Sequence, residues 1–465
     1  MRVAATVLSL AATIAAGPAP AQDRPDQKPF FDIYKEMVET NTVVGVGSCT
    51  KAAQQVATRL KAAGFGDRDI TMFSTPDHPN DGGLVAVLKG SDASTKPILL
   101  LAHLDVVEAK RADWERDPFK LIEENGFYYG RGTLDDKAQA AIWTDAMIRF
   151  RQQGYHPKRT IKLALTCGEE TTYAFNGAEW LAKNRPDLIA AEFALNEGGG
   201  GRLDKDGRRQ LLAVQVGEKA AQNYTFLATN PGGHSSAPPP DNAIYQLADA
   251  LKAVQGYEFP VKFTDTTRAF FTATAKGTGG EVGAAITRLL ANPDDKAADA
   301  IVSRDKSLHS TLRTTCVATL LNAGHAENAL PQRATANVNC RIFPGETVDG
   351  TLAKLKELAG PNVTVTANQP VRPTAVPPTL DPKVLGPMKA VAAKHFPGMA
   401  ILPLMSTGAT DGVYLEAIGI PVYGVPGTFL EPDLNGAHGL NERLRVSSLY
   451  AARDYLFDLV KAYAG

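Results

Sequence analysis

Ile98-Leu99-Leu100-Leu101-Ala102-His103-Leu104-Asp105 is an unbroken apolar run that ends in an imidazole and a carboxylate. Such a run reads as a buried strand whose polar residues emerge at its end. A second run, Ile161-Lys162-Leu163-Ala164-Leu165-Thr166, repeats the design and leads into Gly168-Glu169-Glu170. Between them lies Gly130-Arg131-Gly132-Thr133-Leu134-Asp135-Asp136-Lys137, another carboxylate cluster. Acids and a histidine concentrated beside apolar strands cost stability unless a cation compensates, so the pattern points to a metal centre.

Working outward, Thr50 is placed to cap a helix carrying Ala53, Val56, Ala57, Leu60 and Ala63, with Gly64 as its stop. A strand is expected at Gly83–Leu88. A helix should begin near Lys137, with Ala140, Trp143, Met147 and Phe150 on one side and Gly154 after its end. Ala191–Leu195 reads as a further strand, followed by Asn196-Glu197 and four glycines, Gly198 to Gly201. Without a phosphate-loop signature these glycines read as a flexible turn beside a ligand. Strands alternating with helices predict an α/β layer sandwich with a mixed sheet.

From about Lys219 the texture changes to alternating strands, Tyr224–Ala228 and Ala334–Ile342, separated by helical runs at Ala243–Ala253 and Val348–Leu358. This predicts an α+β domain inserted into the first, with Glu258–Leu308 as an elaboration broken at Gly277–Gly283 and at Asn292-Pro293-Asp294-Asp295. The α/β texture then returns with a strand at Ile420–Val425 and a closing helix whose face is Leu449, Ala452, Leu456, Leu459 and Tyr463. The expected boundaries are 22–218 and 373–465 for the two parts of the catalytic domain and 219–372 for the insert.

A chain of 465 residues with 44% hydrophobic content is long enough for two cores. The net charge of -1 arises without a long single-sign run, which removes the electrostatic reason to expect nucleic acid as a partner. The start, Met1-Arg2 followed by an apolar stretch ending near Ala19-Pro20-Ala21, reads as a signal peptide (1–21) and predicts a protein that is periplasmic or secreted. No later run is long enough for a membrane span. Cys49, Cys167, Cys316 and Cys340 match no zinc-finger or redox spacing. Cys316 and Cys340 lie equally far from Asn328, as cross-strand neighbours in a hairpin would; a disulfide and two separately buried thiols are both compatible with that spacing.

The groups suited to zinc are His103, Asp135, Glu170, Glu197 and a late histidine, His438. Two such ions about 3.5–4 Å apart can share a bridging carboxylate and a bridging water. Asp105 leaves the same side of the strand as His103 and can orient its imidazole. The adjacent carboxylates divide the labour: Glu170 as ligand, Glu169 as the general base and acid.

These stretches resemble the dinuclear zinc hydrolases that include aminoacylases, carnosinase, bacterial glutamate carboxypeptidase and succinyl-diaminopimelate desuccinylase. The resemblance is carried, in order along the mature chain, by LLLAHLDVV, DWERDPF, GFYYGRGTLDDK, LTCGEE, NEGG, GGHSSAPP, NALPQRATANVNCRIFPGET, STGATDG and NGAHGLNER. It implies a zinc-peptidase catalytic domain interrupted by a lid that makes a homodimer. It further implies that Asp135 bridges two metals, with His103 and Glu197 completing one site and Glu170 and His438 the other. His234 would reach a partner's site to stabilise the oxyanion, while Asn328, Arg341, Thr407 and Gly408 would hold substrate. A plain polar loop is the competing reading of the turn around His234, and a surface ion pair that of Arg341; catalysis and substrate binding are preferred.

Ala138 stands where glycine is common, and the longer insert resembles the carboxypeptidase-like and N-acyl amino acid hydrolase branch. The expected function is zinc-dependent cleavage of an amide bond in a small peptide or N-acyl amino acid with a free carboxylate, with cobalt or manganese as other metals for the sites. The alternative is a non-catalytic periplasmic binding protein on the same scaffold.

Overall fold

The computed structural model describes residues 24–171, 175–433 and 436–465, so the signal-peptide reading of residues 1–21 lies outside the described residues. A mixed sheet carries the strands Ile161–Thr166, Ile98–His103, Phe193–Asn196 and Val422–Gly424 side by side and mutually parallel at its centre. Antiparallel strands Ile70–Thr75 and His78–Leu88 extend one edge, and Arg209–Glu218 with Gly200–Leu203 extend the other. His103 stands opposite Thr166 in register, so the parallel strands end together, where ligands gather in open α/β sheets.

Alternation along each strand assigns its two faces. Leu100, Ala102, Leu163 and Leu165 join a core with the helices Gln27–Glu39, Cys49–Ala62, Lys137–Gln152, Pro382–His395 and Val446–Ala464. Leu99, Leu101 and Ala164 turn the other way, toward Ala178 and Leu181 of helix Gly177–Asn184 and Val413 of helix Gly412–Ala417. The helix after the Asp135 loop follows its expected bounds. Ala140, Trp143, Met147 and Phe150 are buried, and the Trp143 indole donates to the Leu101 carbonyl at 3.1 Å.

A second sheet orders Thr315–Ala323, Arg333–Ile342, Ala220–Thr229 and Val363–Ala367, all antiparallel, and is backed by helices Ala243–Gly256 and Val348–Ala359. The Glu258–Leu308 elaboration is helical: Asp265–Thr278, Gly280–Ala291, Lys296–Val302 and Lys306–Leu312 close over a small core of their own. The Asn292–Asp295 break falls between two of these helices, and the Gly277–Gly283 break spans the junction of the first two at Gly279.

Two local expectations are corrected. Ser48, with extended backbone, caps the first predicted helix by accepting from the Lys51 amide, while Thr50 sits inside the helix and donates to the Pro79 carbonyl at 2.7 Å. The glycine run is a packed crossing instead of a flexible turn. Gly200–Leu203 is a strand, and a Cβ at Gly199 or Gly201 would lie 2.3 Å from the Gly424 carbonyl or 2.2 Å from the Phe429 ring. Cys316 and Cys340 face each other across the second sheet and are bonded, as are Cys49 and Cys167, a pair 118 residues apart that sequence spacing did not suggest. No helix among the described residues is long and apolar enough to cross a membrane.

Candidate metal centre

Strand ends and one long-range clamp assemble the cluster. His103 is the last residue of its strand and is 2% exposed. Its Nδ1 lies 3.0 Å from the Asp105 main-chain carbonyl, which fixes a proton there and turns Nε2 toward Asp135 Oδ1 at 3.2 Å and Glu197 Oε1 at 3.7 Å. Asp105 thus buttresses His103 through its backbone. Its Oδ2 instead accepts from the Glu170 amide at 3.0 Å, tying the two strand-end loops together.

The strand before the paired glutamates stops at Thr166, and a turn through Gly168 (φ +96) delivers Glu169 and Glu170. That turn needs glycine, since a Cβ there would sit 1.9 Å from the Phe175 carbonyl. Glu197 follows its strand directly. His438 arrives from a late loop with φ +59, a backbone region that non-glycine residues occupy at a cost and that is characteristic of functional sites. Its Nε2 lies 3.0 Å from Asp135 Oδ2 and 2.9 Å from Glu170 Oε1. One oxygen of Asp135 therefore faces each histidine.

Sequence reasoning assigned no role to the residue that holds this arrangement. Glu442, fully buried, accepts from the amides of Gly132, Leu134 and Asp135 at 2.9, 2.8 and 3.1 Å and pairs with Arg131 at 2.7 Å. The loop that carries His438 is thereby bound to the loop that carries Asp135. Four residues after His438 in the quoted NGAHGLNER stretch, Glu442 was visible, but its partners are more than 300 residues away.

The electrostatics are those of a crowded acidic site. Burial pushes Glu169 and Glu197 well above the usual carboxylate range, with neighbouring acids adding to it, and Asp136 rises through burial and the Asp135 charge. Burial opposes the charged His103 ring, yet Glu197, Asp105 and Asp135 hold it protonated well above its ordinary range. Hydrogen bonds to Asp135 and Glu170 push His438 up to about 10. Burial works to raise Asp135, but the two imidazoles outweigh it and lower its pKa. Asp105 Oδ1 and Asp136 Oδ2 are buried without a hydrogen-bond partner. Donor atoms of His103, Asp135 and Glu170 all lie within 4.8 Å of one another, as do those of His103, Glu169 and Glu197. Imidazole and carboxylate donors, packed this closely with excess negative charge, fit two divalent cations.

Beside the cluster is a cavity of about 220 Å³ whose wall includes Glu169, Glu170 and His438 on one part and Arg341, Arg372, Asn223 and Asn339 on another. Arg341 reaches it from the second sheet, while Arg372, not anticipated, comes from the proline-rich stretch after that sheet. Ala409, Thr410 and Asp411 line the cavity, whereas Thr407 and Gly408 stand just before them in the chain and off its wall. Asp411 accepts from Thr166 and Asn176 and lies behind Glu169. His234 and Asn328 are not brought to this cavity. Both are exposed, His234 on a two-residue strand paired with Ala329–Leu330, with the Ser235 amide donating to the Asn328 carbonyl.

This fold, with acids and imidazoles gathered at the ends of parallel strands, defines a metallohydrolase of the amide-cleaving class. The profile of Peptidase family M20/M25/M40 matches residues 99–462, and the chain belongs to that family. Human N-fatty-acyl-amino acid synthase/hydrolase PM20D1 is 29% identical over 384 residues, covering 80% of this chain and 75% of that protein. The probable carboxypeptidase S-like 2 of Dictyostelium discoideum is 27% identical over 391 residues, covering 81% and 74%. Among solved structures, the M20 family metallo-carboxypeptidase Sso-CP2 from Sulfolobus solfataricus superposes with a TM-score of 0.72 at 20% identity, covering 94% of this chain and 99% of that one. The Bacillus subtilis YXEP protein, a dinuclear metal binding peptidase of the family, gives 0.60 at 12% identity, covering 95% and 99%. The protein is an enzyme of the carboxypeptidase-like branch, with the mixed α/β fold expected from its sequence.

Proposed function

We propose that this enzyme hydrolyses the amide bond of small peptides or N-acyl amino acids that carry a free carboxylate, using two zinc ions held by His103, Asp135, Glu170, Glu197 and His438. The observation that carries the reading is the cavity in which Arg341 faces Glu169: an anchor for a carboxylate stands across from a group able to move protons. Relatives named as an N-fatty-acyl-amino acid hydrolase and a carboxypeptidase support it.

In this reading Asp135 would help hold both ions, since one of its oxygens faces His103 and the other His438. Divalent cations there supply polarisation of the scissile carbonyl and acidification of water. Glu169 takes the proton of the attacking water and delivers it to the departing amine nitrogen. Glu169 lines the cavity beside the cluster, placed to carry the proton between the two events. Asp105 keeps His103 and the Glu170 loop in place.

His234 donates to the oxyanion from the lid (residues 219–372) of a second copy. The Ser236 amide donates to His234 Nδ1 at 3.1 Å, which puts the proton of the neutral ring on Nε2 and leaves it free to donate outward. A homodimer is supported by the edge strand Thr315–Ala323, where Val317, Leu320 and Leu321 are 60, 71 and 64% exposed. Asn328 and Arg341 hold the substrate, with Thr407 and Gly408 shaping the adjoining loop. The mature enzyme is exported.

The test is a mass-spectrometric screen of zinc-loaded protein against dipeptides and N-acyl amino acids, each with a carboxylate-amidated control. Cleavage of free acids, with amidated versions slower by about tenfold or more, is expected from loss of a charge-assisted hydrogen bond. Equal cleavage of both overturns the role of Arg341.

A further inference from the structure

The cavity next to the metal cluster has a second cation that the reading above does not use. Arg341 and Arg372 both line it, close enough that Arg372 disfavours the charge of Arg341, and among the described residues neither has a carboxylate within ion-pair distance. The nearby acid Glu218 is already engaged, accepting from the Thr410 amide and hydroxyl at 3.0 and 2.8 Å and from Gln215 at 2.9 Å.

Arg372 is held where it is. Its amide donates to the Gln222 side chain at 3.0 Å, and its guanidinium carbon lies 5.5 Å from the centre of the Tyr414 ring. Tyr414 is 5% exposed and also lines the cavity, and its buried hydroxyl has no hydrogen-bond partner. An unpaired guanidinium and an unsatisfied hydroxyl on one wall are donors awaiting acceptors.

We propose that Arg372 is a specificity-determining residue that takes a second carboxylate, so that the preferred substrates release aspartate or glutamate. The inference rests on the reading that Arg341 holds the α-carboxylate; Arg372, beside Tyr414, then faces the side chain. Acyl groups on the other side of the scissile bond are not constrained by it.

The test compares L-glutamate with its neutral isostere L-glutamine, by calorimetric binding to zinc-loaded enzyme and by kcat/KM for their N-acetyl forms. Glutamate and its N-acetyl form are expected to be favoured by about tenfold or more, the worth of a charge-assisted bond. In Arg372→Gln that preference collapses toward unity while glutamine binding changes less than twofold, and Arg372→Lys restores part of it. Equal affinity for the two ligands, no binding of glutamate, or equal weakening of both in Arg372→Gln overturns the proposal. If glutamate binds selectively through Arg372 but no amide is cleaved, the proposed hydrolysis fails and this assignment stands.

Discussion

His103 and His234 are both expected to serve one reaction, yet they are held in opposite ways. His103 is 2% exposed, with one ring nitrogen on a backbone carbonyl and the other facing two carboxylates. His234 is exposed and lies on a two-residue strand paired with Ala329–Leu330, and one nitrogen of its ring accepts from the Ser236 amide. The first belongs to a centre that one chain completes by itself, because parallel strands ending together and the Glu442 clamp bring every donor within reach. The second is not among the residues that line the cavity beside the cluster. The contrast teaches that the two roles proposed for these histidines have different structural supports: one side chain is fixed at the end of a buried strand, the other is presented on an exposed turn.

The largest expected effect is on the rigid side. Glu169→Gln should lower kcat by about 10²–10⁴-fold, the usual contribution of a positioned acid/base, measured on the best substrate from the screen. Undiminished turnover would remove Glu169 from the reaction and break the comparison at its firmer end.

On the exposed side, His234→Ala should cost about 10²–10³-fold in kcat, as for loss of one oxyanion donor, with metal content unchanged. Mixing it with Glu169→Gln under conditions that exchange subunits should restore activity, because each hybrid dimer then holds one site with both groups intact. No recovery, with exchange verified by native mass spectrometry, would place His234 in its own chain's site or outside the chemistry.

The smallest of the three effects falls on the clamp. Glu442→Gln leaves Arg131 without its buried partner and weakens the grip on the Asp135 loop, so affinity for the metals should fall about 10–100-fold in a chelator competition. Unchanged affinity would mean that the two loops hold their register without it.

Elements with a strong local period were legible in the sequence. The apolar strands at 98–103 and 161–166 and the helix with Trp143 on its inner face needed only alternation and helical spacing. The cluster of acids was legible because buried charge at strand ends demands a cation. Pairings set by tertiary approach were not. The Cys49–Cys167 bond spans 118 residues, and Glu442 contacts amides more than 300 residues earlier. Arg372 follows a proline-rich stretch with no period to mark its face. The glycines at 198–201 misled for a related reason: glycine there answers close backbone packing, which a single sequence does not distinguish from a turn.

The most direct measurement counts transition-metal ions per chain by inductively coupled plasma mass spectrometry in the wild-type enzyme and in Glu169→Gln, alongside turnover. Two ions per chain in both proteins, with activity confined to the wild type and lost to a chelator, is the predicted result. Fewer than one ion per chain in wild type, or activity indifferent to the chelator, would contradict the account.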